Sequence, residues 1–461
     1  MFAAQTYVAR RSRLQAQLGS GLLLFLGNDE SPMNYADNTF HFRQDSTFLY
    51  FIGVDQPGWA AIMDLDQGTT TAFANDLTLD DIVWTGVLPT VAELADRGGI
   101  TQTLPTAALA DVVSAAKAGG RTMHVLPPYR PENRLKLFRL LGIHPDQARE
   151  AASIEFIRAV VEMRALKGAE EIADLEKAVD TTVDMHLAAM AMARPGMKEA
   201  DIAARVTEIA LAAGGNLSFP VIATIHGETL HNHNHSHTLA AGQLFLLDAG
   251  AETANHYAGD LTCTFPVDMA FTPRQKDIYD VVLHAHLAAV AALAPGMPFR
   301  DVHLLACRTL AEGLKGLGLM KGDLDAAVEQ GAHAMFFQCG LGHMMGLDVH
   351  DMEDLGEVWV GYEGRPKSTL FGIKSLRLAR PLKPGFVFTV EPGIYFIPEL
   401  MDRWRAEGKF TDFISYDRLF SYRDFGGIRI EEDFVVGDGA CRRLGKPRPL
   451  TAAEVESVRG V

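Results

Sequence analysis

The sequence predicts a mixed α/β (α+β) protein with two domains. Its 461 residues exceed a typical single domain, and an apolar content of 48% is enough for two large cores. Short apolar runs alternate with helical patterns in the first third, whereas the rest begins with a long amphipathic helix and becomes rich in strands. We therefore expect an N-terminal domain over residues 1–165 and a C-terminal domain over residues 166–461.

The strands of the N-terminal domain are predicted from short apolar segments. These segments are GLLLFLG (21–27), TFLYFIGV (47–54), AAIMDL (60–65) and TMHVL (122–126). Helical patterns occur at residues 106–118, between the third and fourth of these segments, and at residues 131–142, after the fourth. The mixture predicts a sheet that is covered by helices.

The C-terminal domain is predicted to begin with a long helix that Pro195-Gly196 ends. Its apolar residues recur at spacings of three and four, at Ile172, Leu175, Val179, Val183 and Leu187. Strands and tight turns are expected over 218–265, and further helices over 198–213, 274–294 and 300–316.

A weak internal repeat lies at two of these helix ends. Pro195-Gly196-Met197 and Pro295-Gly296-Met297 have the same three residues, and each stops one helix before another starts. The repeat is either a coincidence or the sign of two similar halves within the C-terminal domain.

Composition argues against several classes of partner. The net charge of −16 disfavours nucleic acid and anionic membranes. No run of 18 apolar residues is present, and three arginines lie where a signal peptide would need its apolar stretch. Four widely spaced cysteines without a CxxC pair predict free thiols in a reducing compartment. We expect a cytoplasmic protein.

Five acidic and imidazole side chains lie in the second half of the chain, each in a short motif of its own. The motifs are LLDAG, YAGDLTCTF, GLGHMMGLDVHD, TVEPGIY and GIRIEED, which contain Asp248, Asp260, His343, Glu391 and Glu431. Four carboxylates and one imidazole suit two divalent ions such as manganese better than a thiolate-bound zinc. Two such ions can activate water and polarise an amide carbonyl. The motifs therefore predict a metal-dependent peptide hydrolase.

Local patterns indicate how these side chains converge. Asp248 ends an apolar strand, and Asp260 follows twelve residues later, which fits two neighbouring antiparallel strands. Arg429 and Glu431 share one face of a strand. A single aspartate at a strand end is commonly a cap, but five residues in five such settings indicate one site. Three glycines around His343 predict close approach of the backbone to the ions, namely Gly340, Gly342 and Gly346.

The ordered motifs resemble those of the proline-specific metallopeptidases with the pita-bread fold, aminopeptidase P and prolidase. FRQDSTFLYFIG (42–53) is similar to their N-terminal domain, and residues 160–437 are similar to their catalytic domain. The resemblance implies a creatinase/aminopeptidase P-like N-terminal domain followed by a pita-bread catalytic domain. It also implies that a small proline-containing peptide is the substrate.

The resemblance implies a role for each motif residue. Asp248 and Glu431 match ligands that bridge two metal ions, while Asp260 completes one ligand set. The other set is completed by His343 and Glu391. By the same resemblance, the substrate and the tetrahedral intermediate are bound by His231 and His350. Glu391 would also take and return the proton during hydrolysis.

The remaining expectations concern four further residues and the histidine tract around His231. Arg429 is expected to orient a carboxylate ligand, while Tyr395 is either a pocket residue or a core tyrosine. Cys339 and Met345 depart from the usual family pattern, and Cys339 is either a buried inert thiol or an influence on the metals. The tract around His231 is either a metal-binding loop or, as we expect, solvated apart from His231 itself. Its other members are His233, His235 and His237.

The choice between the two family activities depends on the far end of the substrate. A dipeptidase must bind the proline carboxylate, for which arginine is the natural partner. Arg377 lies in GIKSLRLAR, a stretch that resembles eukaryotic-type prolidases, in which this arginine binds the carboxylate. We therefore favour an Xaa-Pro dipeptidase, with Xaa-Pro aminopeptidase as the alternative.

Two other possibilities concern assembly and metal-free relatives. Trp84 matches a position at which aminopeptidase P offers a tryptophan to a neighbouring subunit, although a packing role would also explain it. If it crosses an interface, the protein is at least a homodimer. Some pita-bread proteins have lost their metals and act as binding proteins, but this chain retains all five ligands.

Overall fold

The computed structural model describes residues 1–460, which form two compact units. The first unit comprises Met1–Arg164 together with Asp354–Trp359. The second comprises Ala165–Glu353 and the chain from Val360 onward. Within the described residues, no helix is both long enough and apolar enough to cross a bilayer.

The first unit is built around a five-stranded mixed sheet of order β4-β3-β2-β1-β5. Its strands are β1 (Leu22–Leu26), β2 (Ala60–Asp64), β3 (Thr69–Phe73), β4 (Gln102–Leu104) and β5 (Met123–His124). Its helices are α1 (Ala4–Gln17), α2 (Ser46–Ile52), α3 (Leu79–Thr85), α4 (Val91–Arg97), α5 (Ala108–Ala118), α6 (Pro131–Leu141) and α7 (Ile154–Ala165). One core lies between the sheet and α5 and α6, where Leu24, Ile62, Phe73 and Val113 are buried.

The prediction of a strand over 47–54 was wrong, because this segment forms helix α2. Asp45 caps the helix by accepting a hydrogen bond from the Phe48 N–H at 2.8 Å. Gly53 ends it in the left-handed region, with φ of 73°. All residues of α2 are buried. A helix that is buried on every side has no apolar period, so its sequence pattern cannot be distinguished from that of a buried strand.

Helix α3 leaves an apolar surface that nothing in the first unit covers. None of its residues is buried, and Trp84 is 87% exposed. Leu79, Val83 and Val87 are exposed beside it in the sequence. The structure therefore excludes core packing as the explanation of Trp84. We call Leu79, Val83, Trp84 and Val87 the α3 patch.

The remaining helices and strands lie in the second unit, except that one helix, Glu357–Tyr362, begins in the segment Asp354–Trp359 of the first unit. The helices are α8 (Ala169–Met192), α9 (Glu199–Ala212), α10 (Pro273–Ala291), α11 (Phe299–Gly316), α12 (Leu324–Gln330), α13 (Glu357–Tyr362), α14 (Pro398–Ala406), α15 (Tyr416–Leu419) and α16 (Ala452–Arg459). The strands are β6 (Asn216–Leu217), β7 (Ile222–Thr224), β8 (Leu244–Ala249), β9 (Ala251–Glu252), β10 (Leu261–Pro266), β11 (Val387–Val390), β12 (Gly393–Tyr395), β13 (Gly427–Arg429), β14 (Glu432–Val436) and β15 (Cys441–Arg443).

The internal repeat corresponds to two halves with the same local architecture. Helices α8 and α9 belong with the sheet β10-β8-β7, and α10 and α11 belong with the sheet β11-β14-β15. Gly196 donates its N–H to the Leu239 carbonyl at 2.8 Å, and Gly296 donates to the Leu382 carbonyl at 2.7 Å. Both glycines have positive φ, of 92° and 84°. These equivalent contacts favour the two-halves interpretation over coincidence.

Candidate metal centre

Two neighbouring strands hold the first two predicted ligands. β8 and β10 are antiparallel, and Asp248 lies opposite Thr262 in the register. Asp260 directly precedes β10, and every residue of both strands is buried. The twelve-residue spacing therefore joins adjacent strands, as the sequence predicts.

Three predicted ligands form one tight group. Carboxylate oxygens of Asp260 and Glu431 and a ring nitrogen of His343 all lie within 4.8 Å of one another, and all three residues are buried. The His343 Nε2 is 3.3 Å from Asp260 Oδ2 and 3.5 Å from Glu391 Oε1. Its Nδ1 lies 3.1 Å from the Met344 carbonyl, which orients Nε2 toward the carboxylates.

Arg429 and Thr262 hold the carboxylates on the other side of this group. Arg429 donates from Nη2 to Asp248 and from Nε to Thr262 Oγ1 at 2.9 Å. Its Nη1 donates to Tyr395 Oη at 2.8 Å. The Thr262 hydroxyl in turn donates to Glu431 Oε2 at 2.6 Å. Thr262 was not predicted as a site residue, although a polar residue two positions after Asp260 lies on the same strand face.

The charge of the group fits divalent cations. Burial raises the pKa of Asp260, Glu431 and Glu391, and the neighbouring carboxylates raise it further. Asp260 Oδ1 is buried and has no hydrogen-bond partner. Because Arg429 supplies one positive charge against four carboxylates, the group needs protons or cations to be stable. An oxygen-rich ligand set with one imidazole fits two hard or borderline divalent ions.

The glycines around His343 lie where a side chain would clash with neighbouring parts of the chain. A Cβ on Gly342 would lie 2.0 Å from the Thr389 carbonyl oxygen. Thr389 donates its N–H to the His343 carbonyl at 3.0 Å, and its hydroxyl accepts from the His343 N–H at 3.1 Å. The same hydroxyl donates to Glu391 Oε1 at 3.2 Å. Thr389, which the sequence analysis did not identify, therefore links two predicted ligands.

A chain of polar contacts joins His350 to Arg377. The rings of His343 and His350 have centroids 4.3 Å apart. His350 Nδ1 lies 2.7 Å from Glu353 Oε2, and the same oxygen is 3.3 Å from Arg377 Nε. The hydrogen bond from His350, and then the charge of Arg377, lower the pKa of Glu353 to about 2. Arg377 is 32% exposed, so it is neither an ordinary surface residue nor a core residue.

The histidine tract is less solvated than the sequence analysis expected. His235 Nε2 lies 3.0 Å from the Val221 carbonyl, and His237 Nδ1 lies 2.9 Å from the buried Glu199 carboxylate. These two residues therefore stabilise the loop, and only His233 is an exposed loop residue of the kind expected. Partial removal from water lowers the pKa of His231, and the charge of Asp248 opposes this effect.

Tyr395, which is buried, and Cys339, which is partly buried, lie next to each other beside Arg429. Tyr395 is fully buried, and Cys339 Sγ lies 3.9 Å from its hydroxyl. Burial raises the pKa of Cys339 to about 12, with a further contribution from Glu391. The thiol is therefore protonated and unreactive at neutral pH, which fits the inert interpretation.

A buried ion pair next to His350 gives a stability prediction. Lys167 Nζ lies 2.7 Å from Asp351 Oδ2, and each side chain is 1% exposed. Lys167→Met removes the cation from a buried carboxylate, so we expect the free energy of unfolding to fall by about 3–5 kcal/mol. Urea denaturation measures this loss. Lys177→Met removes a largely exposed partner of Asp174 and should cost at most about 1 kcal/mol. Equal losses in the two variants would contradict the assignment.

Comparison with known proteins places this geometry in a family. Metallopeptidase family M24 matches residues 173–438, and the aminopeptidase P N-terminal domain matches residues 7–125. Human Xaa-Pro dipeptidase is 31% identical, covering 97% of this chain and 90% of that protein. A probable Xaa-Pro aminopeptidase of Aspergillus niger is 30% identical, and the match covers 97% of this chain and 96% of that protein.

Solved structures agree with this placement. Zinc-substituted Escherichia coli aminopeptidase P in complex with product superposes with a TM-score of 0.81 and 27% identity, covering 100% of this chain and 98% of that one. The predicted fold class, with its two kinds of domain, and the family resemblance are confirmed. On its fold and its family matches, the chain belongs to metallopeptidase family M24.

Proposed function

We propose that this protein is an Xaa-Pro dipeptidase that hydrolyses the bond between an N-terminal residue and a C-terminal proline. The similarity to Xaa-Pro dipeptidases and aminopeptidases supports cleavage before proline. The observation that favours a dipeptidase over an aminopeptidase is the contact of Arg377 with Glu353, which also contacts His350. It places a cation near the candidate metal centre, where a proline carboxylate can be bound.

The proposed cofactor is a pair of divalent metal ions, with manganese as the favoured metal. We propose Asp248 and Glu431 as bridging ligands, Asp260 as a ligand of one ion, and His343 and Glu391 as ligands of the other. Bound there, the ions would polarise the peptide carbonyl and lower the pKa of water.

The side chains have complementary proposed roles in hydrolysis. Glu391 takes the proton from the attacking water and returns it to the leaving proline nitrogen. His231 and His350 donate hydrogen bonds to the developing oxyanion and to the substrate. Arg429 orients Asp248 by a hydrogen bond, and a second hydrogen bond from Arg429 to Tyr395 holds the guanidinium group in place. Because an Xaa-Pro bond has no N–H, recognition depends on these groups and on Arg377.

The experiment that distinguishes a dipeptidase from an aminopeptidase compares the cleavage of two kinds of substrate by the manganese-loaded enzyme. Ala-Pro and Gly-Pro should be cleaved efficiently, and an Ala-Pro-Xaa tripeptide poorly. Efficient cleavage of the tripeptide would instead make the protein an Xaa-Pro aminopeptidase, the second candidate, which the solved neighbours favour. A purified protein that binds no divalent ion and cleaves neither substrate would favour the metal-free binding protein.

We further propose a cytoplasmic protein that acts as a homodimer or larger homo-oligomer and binds neither nucleic acid nor membranes. The negative net charge supports the absence of those partners. The α3 patch supports self-association, because contiguous exposed apolar side chains mark interfaces. Trp84→Glu should lower the mass measured by light scattering, whereas an unchanged mass would remove Trp84 from the interface.

Metal binding should stabilise the protein more as the pH rises. In the folded protein without ions, burial raises the pKa of Asp260, Glu431 and Glu391. A carboxyl group with a raised pKa stabilises the folded protein at a pH below its pKa in the unfolded chain, which is about 4. This stabilisation is lost as the pH rises through the pKa in the folded protein. Metal ions bind the deprotonated carboxylates, so their binding compensates for the lost stability. The gain in melting temperature on adding Mn²⁺ should therefore increase from roughly pH 5 to pH 7.5. A gain that is constant or decreasing over this range would contradict the ligand assignment.

A further inference from the structure

A second cluster of metal-binding side chains lies within the second unit and shares no residue with the candidate metal centre. Helix α11 carries His303 and Cys307 one turn apart, so both lie on one face. His333 lies in the short 3-10 helix Ala332–Met335. The ligand atoms of all three residues lie within 4.8 Å of one another. We call these three residues the His-Cys-His cluster.

The cluster is buried, and three of its four ring nitrogens make no hydrogen bond of good geometry. His303 and Cys307 are 0% exposed, and His333 is 2% exposed. Nδ1 of His303 and both ring nitrogens of His333 make no hydrogen bond of good geometry, although the Gly372 and Val328 carbonyls approach these rings. An unsatisfied buried polar group costs about 1–3 kcal/mol, and such groups are rare in native proteins. A metal ion that binds the nitrogen lone pairs would remove part of the energetic cost of these unsatisfied nitrogens.

Another buried histidine of the same unit, His186, has a hydrogen-bond partner for each of its ring nitrogens. His186 Nδ1 lies 3.0 Å from Cys263 Sγ, and its Nε2 lies 3.0 Å from the Ala249 carbonyl. Both of its nitrogens are therefore occupied by protein atoms. The His-Cys-His cluster differs because it adds a second imidazole and has three ring nitrogens that make no hydrogen bond of good geometry.

The distance between the sulfur and the nearest ring nitrogen in the cluster matches tetrahedral zinc. With Zn–S of about 2.3 Å and Zn–N of about 2.0–2.1 Å, a tetrahedral site places sulfur and nitrogen about 3.5–3.6 Å apart. Cys307 Sγ and His303 Nε2 are 3.5 Å apart. Two imidazoles and a thiolate prefer zinc to the hard ions that suit an oxygen-rich site. The two sites therefore differ in the metal that their donor atoms select.

We propose that His303, Cys307 and His333 bind a zinc ion that is separate from the candidate metal centre, with a water molecule as the fourth ligand. Binding replaces the Cys307 S–H proton with a Zn–S bond and releases one proton to solvent. The ion connects α11 to the segment that leads to the GLGHMMGLDVHD motif. This proposal does not depend on which Xaa-Pro activity the protein has.

Cobalt substitution tests the proposal without an activity assay. Co²⁺ bound by a thiolate gives a near-ultraviolet charge-transfer absorption, which oxygen and imidazole ligands do not give. The full chain, stripped with a chelator and reloaded with Co²⁺, should show this absorption and bind three ions. Cys307→Ser should lose the absorption and bind two ions.

Two matched variants identify the sulfur atom. Cys263→Ser removes the thiol of the His186 pair, and Cys339→Ser removes the thiol near Glu391. Both variants should keep the absorption and so exclude Cys263 and Cys339 as the sulfur ligand. If Cys307→Ser does not fold, the wild-type spectrum with these two variants still decides the question. A cobalt-loaded wild type without the absorption, or one that binds no more ions than a folded Cys307→Ser, overturns the proposal.

Discussion

Glu391→Gln is expected to lower kcat by about 10²–10⁴-fold while leaving the fold intact. The amide retains the shape of the carboxylate but cannot take a proton from water. Glu391 Oε1 accepts a hydrogen bond from Thr389 at 3.2 Å and lies 3.5 Å from His343 Nε2. A glutamine can preserve the first contact with its side-chain oxygen. The loss should therefore appear in kcat rather than in the melting temperature.

The control must separate proton transfer from metal binding, because Glu391 is also a proposed ligand. Metal content is measured on the same sample as the kinetics. A variant with two ions and little turnover supports the proton-transfer role, whereas loss of one ion assigns the effect to binding. Glu329→Gln makes the same chemical change at an exposed position on α12 and should leave kcat unchanged. Turnover like that of the wild type in Glu391→Gln would remove this residue from the mechanism.

The five motif residues could be predicted because each lies in a strong local pattern. Asp248 follows an apolar strand, and glycines surround His343. The residues that connect these groups have no such signal. Thr262 and Thr389 are ordinary polar residues in the sequence, and each has a partner that lies far away in the chain. Their contribution depends on pairing between strands, which one sequence does not reveal.

Two other differences between prediction and structure have similar physical causes. The segment 47–54 has no period because α2 is buried on every side, so the helix-capping residue Asp45 was the more informative signal. His237 was expected to be solvated, but its partner Glu199 lies 38 residues earlier in the chain. A buried carboxylate with a distant partner changes the role of a loop residue that composition alone describes as polar.

Arg377→Met is expected to lower kcat/KM for Ala-Pro by roughly 30-fold to several-thousand-fold, since truncating one partner of a buried charge pair costs about 2–5 kcal/mol. The same variant should cleave Ala-Pro-amide at nearly the wild-type rate, because this substrate has no carboxylate to bind. Arg365→Met, at a largely exposed arginine that pairs with Glu363, should change neither reaction.

The comparison of two substrates within one variant separates binding from positioning. Glu353 Oε2 contacts both Arg377 and His350, so removing Arg377 also alters the surroundings of His350. That indirect effect would reduce the cleavage of both substrates to the same extent, since both present the same peptide bond to His350. A selective loss for the free dipeptide therefore requires a direct contact between Arg377 and the proline carboxylate. Equal losses would leave Arg377 as a positioning residue that acts through Glu353 and would favour the aminopeptidase alternative.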